Sequence, residues 1–155
     1  MPEAVEPRVR VQQEDFDVAS EIDQLTGGRK DIGAVVTFTG LCRDENGRLA
    51  ALELEHYPAM AEAEICRIAR EAAERWSLSG LSIIHRFGKI LPGENIVLVV
   101  AASTHRRAAL DAADFLMDYL KSRAPFWKKE HPADGAASQW VEAKPADEDA
   151  LDRWR

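Results

Sequence analysis

AVVTFTGLCRDENGRLAALELEH, residues 34–56, is the stretch whose reading decides the fold. Ala34, Val36 and Phe38 alternate with Val35, Thr37 and Thr39, a period-two, β-branched pattern that fits a strand with one buried face. Asn46-Gly47 is a strong tight-turn signal, and residues 49–56 return with Leu52 and Leu54 inward and Glu53 and Glu55 outward. The pair reads as a hairpin with residues 40–48 at its tip. Hairpins impose antiparallel neighbours, so the chain is expected to be α+β, an antiparallel or mixed sheet of hairpins with three main helices, rather than a doubly wound parallel fold.

Upstream, residues 8–11 alternate like a short strand, and Asp17 can cap a brief helix carrying Val18, Ile22 and Leu25 before Gly27-Gly28 ends it. Downstream, Pro58 suits a helix start, and Met60, Ile65, Ile68, Ala69, Ala72 and Trp76 keep helical spacing. Residues 81–87 and 95–102 read as strands about a Pro92-Gly93 turn, the second a near-continuous apolar run for the middle of a sheet. Ser103 or Thr104 is placed to cap a third helix, with Leu110, Ala113, Met117 and Leu120 as its buried stripe. Residues 139–143 suggest an edge strand and 147–155 a loosely docked acidic helix, giving one domain with a core over about 8–143 and an acidic tail, 144–155.

The chain has 155 residues, 46% of them apolar, and a formal net charge of -7, as befits a folded globule. Its longest apolar run, around residues 96–102, is far short of the roughly 20 residues of a membrane span. The N-terminus lacks the basic-then-apolar order of a secretory signal, so a cytoplasmic protein without a membrane partner is expected. The acidic balance argues against nucleic acid. Cys42 and Cys66 are too few for a zinc cage, and the four histidines fall at no metal-ligand spacing, so no metal is expected.

Against that acidic background, YLKSRAPFWKKE, residues 119–130, gathers Lys121, Arg123, Lys128 and Lys129 around Pro125, Phe126 and Trp127. Such a reversal of sign asks for an anionic partner. Pro125 should stop the helix before it, which puts Lys121 on the last helical turn and Lys128 on an irregular segment beyond. The two amines can then converge on one spot, where a neutral lysine could act as base or nucleophile while a charged neighbour stabilises an anion. Two further basic groups are Arg43 with Arg48 at the first hairpin tip, and His105-Arg106-Arg107 at the start of the third helix, where donors and the helix dipole suit a phosphate or carboxylate. A helix over 104–123 is about 30 Å long, so its two basic ends cannot serve one small site within one subunit. Either there are two sites, or a second copy brings its helix start against the first copy's helix end in a symmetric dimer.

Several strings in the chain closely resemble the MoaE family, the catalytic large subunits of molybdopterin synthase: VVTFTG with Arg43 after it, LELEHYPAM (52–60), IHRFG (84–88), PGE (92–94), STHR (103–106), WVEA (140–143) and above all MDYLKSRAPFWKKE (117–130). The resemblance implies an α/β hammerhead-like fold and a sulfurtransferase of molybdenum cofactor biosynthesis with no cofactor of its own. It also implies a heterotetramer in which a homodimer of large subunits binds two small ubiquitin-like, MoaD-like sulfur carriers. The carrier's C-terminal Gly-Gly thiocarboxylate enters the large subunit's pocket, and two sulfurs pass to cyclic pyranopterin monophosphate to make the dithiolene of molybdopterin.

Carried over by motif, Lys121 and Lys128 match the catalytic lysines. Arg43, Phe38 and Met117 match pocket-lining positions, His105 and Arg106 the pair that reaches in from the other subunit, and Arg123 joins the substrate-binding set. The chain departs from the family at Leu41-Cys42, where Lys-Val is usual, and at Ala59, where glycine is usual; Cys42 reads as packing rather than a sulfur relay. Two other readings of the same basic pocket are a non-catalytic module that holds a ubiquitin-like tail and a different phosphate-ester-binding enzyme, the latter weakened by the lack of a Gly-rich phosphate loop.

Overall fold

The computed structural model describes residues 4–141 and 145–154. Among these residues, eight strands form two four-stranded sheets. The first has the order β1-β4-β6-β2, from β1 (Arg8–Gln12), β4 (Gly80–Arg86), β6 (Asn95–Ser103) and β2 (Ala34–Leu41). The second has the order β5-β3-β7-β8, from β5 (Gly88–Ile90), β3 (Leu49–His56), β7 (Phe126–Pro132) and β8 (Gln139–Val141). All pairings are antiparallel except β1 with β4, so the fold is α+β with a mixed first sheet.

Helices cover both faces of the first sheet, which is why β4 and the interior of β6 are apolar on both sides. On one face α1 (Val18–Thr26), capped by Asp17 accepting from the Ser20 N–H at 3.0 Å, packs Leu25 on Ile84, Leu98 and Val100. On the other, α2 (Pro58–Arg75) and α3 (Arg106–Ser122) close over Leu81, Ile83, Val97 and Val99. The second sheet has a small core of its own, Cys42, Leu49, Leu54 and Ile90. Ile96 and Phe126 touch both cores and join the sheets.

The expected hairpin of residues 34–56 is corrected. The reversal forms, closed by the Leu49 N–H on the Asp44 carbonyl at 2.9 Å, with Glu45, Asn46 and Gly47 all at positive φ. Yet β2 pairs with β6 and β3 with β5 and β7, so the two strands lie in different sheets. A turn dipeptide dictates a change of direction and leaves the partner open; here three successive left-handed residues re-aim the chain out of the plane of β2. The second expected pairing forms, β4 against β6, but the chain visits the second sheet on the way as β5. Gly88, at φ 89°, makes that exit, a conformation that a side chain would strain.

Smaller corrections concern the helices. The N-cap of α3 is His105 rather than Ser103 or Thr104, and it makes no side-chain capping bond; the Ser103 hydroxyl instead donates to the His105 carbonyl. The buried stripe of α3 is Ala109, Ala112, Ala113, Phe115, Leu116 and Leu120, and Leu110 is exposed. Met60 on α2 is exposed too. The end of the chain, expected to dock loosely, is tied down. α4 (Pro145–Leu151) buries Leu151, and a 3-10 turn (Asp152–Trp154) sets Trp154 edge-on to Trp76 and Phe115. Asp118 accepts from Arg153 at 2.8 Å and from the Trp154 indole at 2.5 Å. Of the expected edge strand 139–143, residues 142–143 lie outside the described residues, as does Arg155 of the last helix.

Candidate active site between the two sheets

The cleft starts where α3 ends. Arg123 closes the last turn with its N–H on the Tyr119 carbonyl at 2.7 Å, and Pro125, lacking a donor, prevents a further turn. A tight reversal, with the Phe126 N–H on the Ala124 carbonyl at 2.8 Å, sends the chain into β7. Lys128 therefore sits on a strand and not on the irregular segment expected for it, paired opposite Leu54 of β3. The alternation of β7 sets Phe126, Lys128 and Glu130 on one face. On the other, Trp127 meets Tyr57 edge-on at 4.9 Å, and the Lys129 amine lies 5.2 Å from the Trp140 ring centre.

Lys121, from the last turn of α3, and Lys128, from β7, line one cavity of about 190 Å³. Its other walls include Phe38, Leu54, Met117, Leu120 and Phe126. Gly40 also faces it, where a Cβ would come within 2.8 Å of Val97. The same two lysines line an adjoining groove of about 260 Å³, whose outer rim carries Arg43, Glu130 and Asp147. Phe38, Arg43, Met117, Lys121 and Lys128 thus share one continuous cleft between the sheets. Cations within apolar walls form a site for an anion, because the low local polarity strengthens their field.

Arg43 is 77% exposed and pairs with Glu45 at 3.2 Å. An exposed pair of this kind is worth well under about 1 kcal/mol, so Arg43 is readily drawn to a better anion. Arg123 points away from the cavity, to Glu148 of α4 at 3.0 Å. His105 and Arg106 lie exposed at the start of α3; fifteen residues separate Arg106 from Lys121, about 22 Å along the axis, so they do not reach this chain's own cavity. Cys42 is 4% exposed, and burial first, then the Glu94 and Glu45 carboxylates, pushes its thiol up, which leaves it protonated and inert.

One cavity residue that the sequence reading did not single out is His85. It is 7% exposed, on β4, and its ring stacks on Phe126 at 3.9 Å and 14°. Burial pushes it down to about 4, and the nearby charge of Lys128 and the His56 imidazole act in the same direction. Its Nδ1 lies 2.9 Å from the Arg86 carbonyl, which can only accept, so the proton sits on Nδ1 and Nε2 keeps a free lone pair. The available signal was a histidine set inside an apolar strand, LSIIHRFG, where a buried polar side chain needs a reason. A larger depression of about 650 Å³ between the Arg48 loop and residues 132–136 carries Glu45, Glu130 and Asp134 and neither lysine, a poor match to an anion.

The MoaE protein family model matches residues 11–123. The molybdopterin synthase catalytic subunit of Mesorhizobium japonicum is 69% identical over 155 residues, covering 100% of this chain and 98% of its own. Among solved structures, the molybdopterin biosynthesis MoaE protein of Burkholderia ambifaria superposes with a TM-score of 0.82 at 44% identity, over 96% of this chain and 97% of that one. The protein–protein complex of subunits 1 and 2 of the molybdopterin-converting factor from Helicobacter pylori contains a chain of the same fold, with a TM-score of 0.70 at 22% identity over 88% of this chain and 90% of that one. With its sequence and its fold in agreement, the chain belongs to the MoaE family.

Proposed function

We propose that this chain is the catalytic large subunit of a cytoplasmic molybdopterin synthase, which converts cyclic pyranopterin monophosphate to molybdopterin with sulfur from the thiocarboxylated C-terminus of a small ubiquitin-like subunit. The observation that carries the reading is the opening of Lys121 and Lys128, from different elements, into one otherwise largely apolar cavity. A narrow cavity of this size suits a chain end without side chains, as a Gly-Gly tail is. Arg43 on the rim offers a planar fork to a thiocarboxylate or a phosphate. While sulfur moves, one lysine in neutral form takes a proton or holds the acyl group, and the other, as a cation, balances the developing negative charge.

The cleft also needs the basic start of α3, which its own chain cannot supply, so His105 and Arg106 come from a second copy in a homodimer, with one small subunit on each cavity. The Helicobacter pylori complex of two subunits supports a partner of this kind. The test is reconstitution: the purified chain, a thiocarboxylated small subunit and cyclic pyranopterin monophosphate, with molybdopterin measured. Product supports the reading. Tail binding without product would leave a non-catalytic binding module, and neither binding nor product would point to another phosphate ester as substrate.

A further inference from the structure

The outer face of the second sheet, turned away from the cleft, holds a relay that the proposed function does not use. The alternation of β7 that sends Lys128 into the cleft puts Lys129 and His131 on the opposite side. One step past the Glu130–Gln139 pair of β7 and β8, Ser138 stands across from His131, and the Ser138 Oγ lies 2.6 Å from His131 Nδ1. From β3, on the other side of β7, the Glu53 Oε1 lies 3.0 Å from His131 Nε2. A carboxylate only accepts, so the imidazole proton sits on Nε2, and Nδ1 is left to accept from the Ser138 hydroxyl. Two strands and the approach to a third thus link a hydroxyl, a base and a carboxylate. His131 and Glu53 are 27% and 31% exposed, shielded enough to hold the relay and open enough to be reached.

We infer that Ser138 is an activated nucleophile, with His131 as its base and Glu53 orienting the imidazole, and that this face accepts acyl groups from esters. The geometry that defines such a nucleophile is a hydroxyl within hydrogen-bond reach of a base that a third group orients. Ser138 Oγ attacks the ester carbonyl carbon while its proton passes to His131 Nδ1, and Glu53 stabilises the imidazolium that results. The bond from that carbon to the leaving oxygen then breaks as His131 hands the proton to the departing group, leaving an acyl-serine. Water attacks the acyl-serine by the same route, with His131 taking its proton and returning one to Ser138 Oγ, so a carboxylic acid and the free serine are released. Trp140, two residues on and 53% exposed, offers a flat apolar surface on the same face, and the Lys129 amine is held 5.2 Å from its ring centre. An aryl ester, flat enough to lie on that ring, is the class of substrate that fits.

The inference does not depend on the proposed function, and its test needs no small subunit. The full chain is incubated with a fluorophosphonate, which gives a stable phosphonyl-serine with loss of fluoride, and the labelled peptides are located by mass. Ser138 is expected to react about 100-fold faster than Ser20, an exposed hydroxyl that accepts from the Gln24 amide, the usual gain from a positioned base. His131→Gln is expected to remove that advantage, and Glu53→Gln to lower it about tenfold, as loss of a hydrogen bond to a charged group does. With para-nitrophenyl acetate the wild type is expected to release nitrophenol faster than Ser138→Ala does. Three results would overturn the inference: a folded wild-type chain in which Ser138 reacts no faster than Ser20, an undiminished Ser138 rate in His131→Gln, or equal release of nitrophenol by wild type and Ser138→Ala. The comparison within the wild type decides even where a variant does not fold.

Discussion

The two ends of α3 carry similar charge in very different settings. At its C-terminal end Lys121 faces a walled cavity, with Met117 one turn before it and Phe126 and Lys128 of β7 across from it. At its N-terminal end His105, Arg106 and Arg107 stand in solvent; the Arg107 guanidinium approaches Asp111 at 3.8 Å, and neither neighbour lines a described cavity. Basic side chains become a site only where other elements exclude water around them and turn them toward one point. One end of the helix has such walls, and the other does not.

Sharpening that contrast begins with the lysines. Lys121→Ala and Lys128→Ala are each expected to lower molybdopterin formation by about 100-fold or more, the usual effect of removing a group that moves protons or balances charge at the reacting centre. Arg106→Ala is expected to lower it about tenfold, the loss of one charge-assisted contact, and Arg107→Ala to leave it within about twofold. An Arg107 effect as large as that of Arg106 would break the distinction between a donor that reaches a cavity and a solvated neighbour.

The wall behind Lys121 gives the next prediction. Trp154 packs on Trp76 and Phe115 while Asp118 holds both the Trp154 indole and Arg153, so α4 clamps the outer side of α3. Trp154→Ala is expected to destabilise the fold by about 2–4 kcal/mol, seen as a melting point lowered by several degrees, with a smaller loss of activity. Arg107→Ala should not move the melting point, since its pair is exposed.

The last effect expected is one of pH on stability. His85 titrates at about 4 when folded and near 6.5 otherwise, with Lys128 and His56 as its charged or titratable neighbours. Between those values the unfolded chain binds a proton that the folded chain does not, so stability falls as pH drops through the window, by at most about 3 kcal/mol from this group. Above pH 6.5 the contribution is flat. Denaturant titrations of wild type and His85→Phe at pH 7 and pH 4.5 check it: the wild type should lose more on acidification than the variant.

Much of this was legible in the chain. Alternation located β1, the Asp17 cap α1, helical spacing after Pro58 α2 and a near-continuous apolar run β6, because each is decided by its own residues, and Pro125 marked the end of α3 because its missing N–H acts locally. Sheet membership was not legible: Asn46-Gly47 turns the chain, but the pairing of β2 and β3 with other strands is decided by packing of Leu54, Ile90 and Phe126 far along the sequence. The lysines announced themselves by charge against an acidic background. His85 had a weaker signal, a polar residue within the apolar run LSIIHRFG, and its place beside Phe126 and the cavity depends on β7, far along the chain.

That the two ends of α3 belong to one site in different subunits is tested most directly by mixing. Arg106→Ala and Lys121→Ala chains, each expected to be impaired alone, are unfolded and refolded together in equal amounts and assayed for molybdopterin formation. Random pairing gives half mixed dimers, each with one intact cavity of two, so about a quarter of wild-type activity is expected above the residual of either variant. No gain over the separate variants, with mixed dimers demonstrated by mass, would contradict a shared site and confine the chemistry to a single chain.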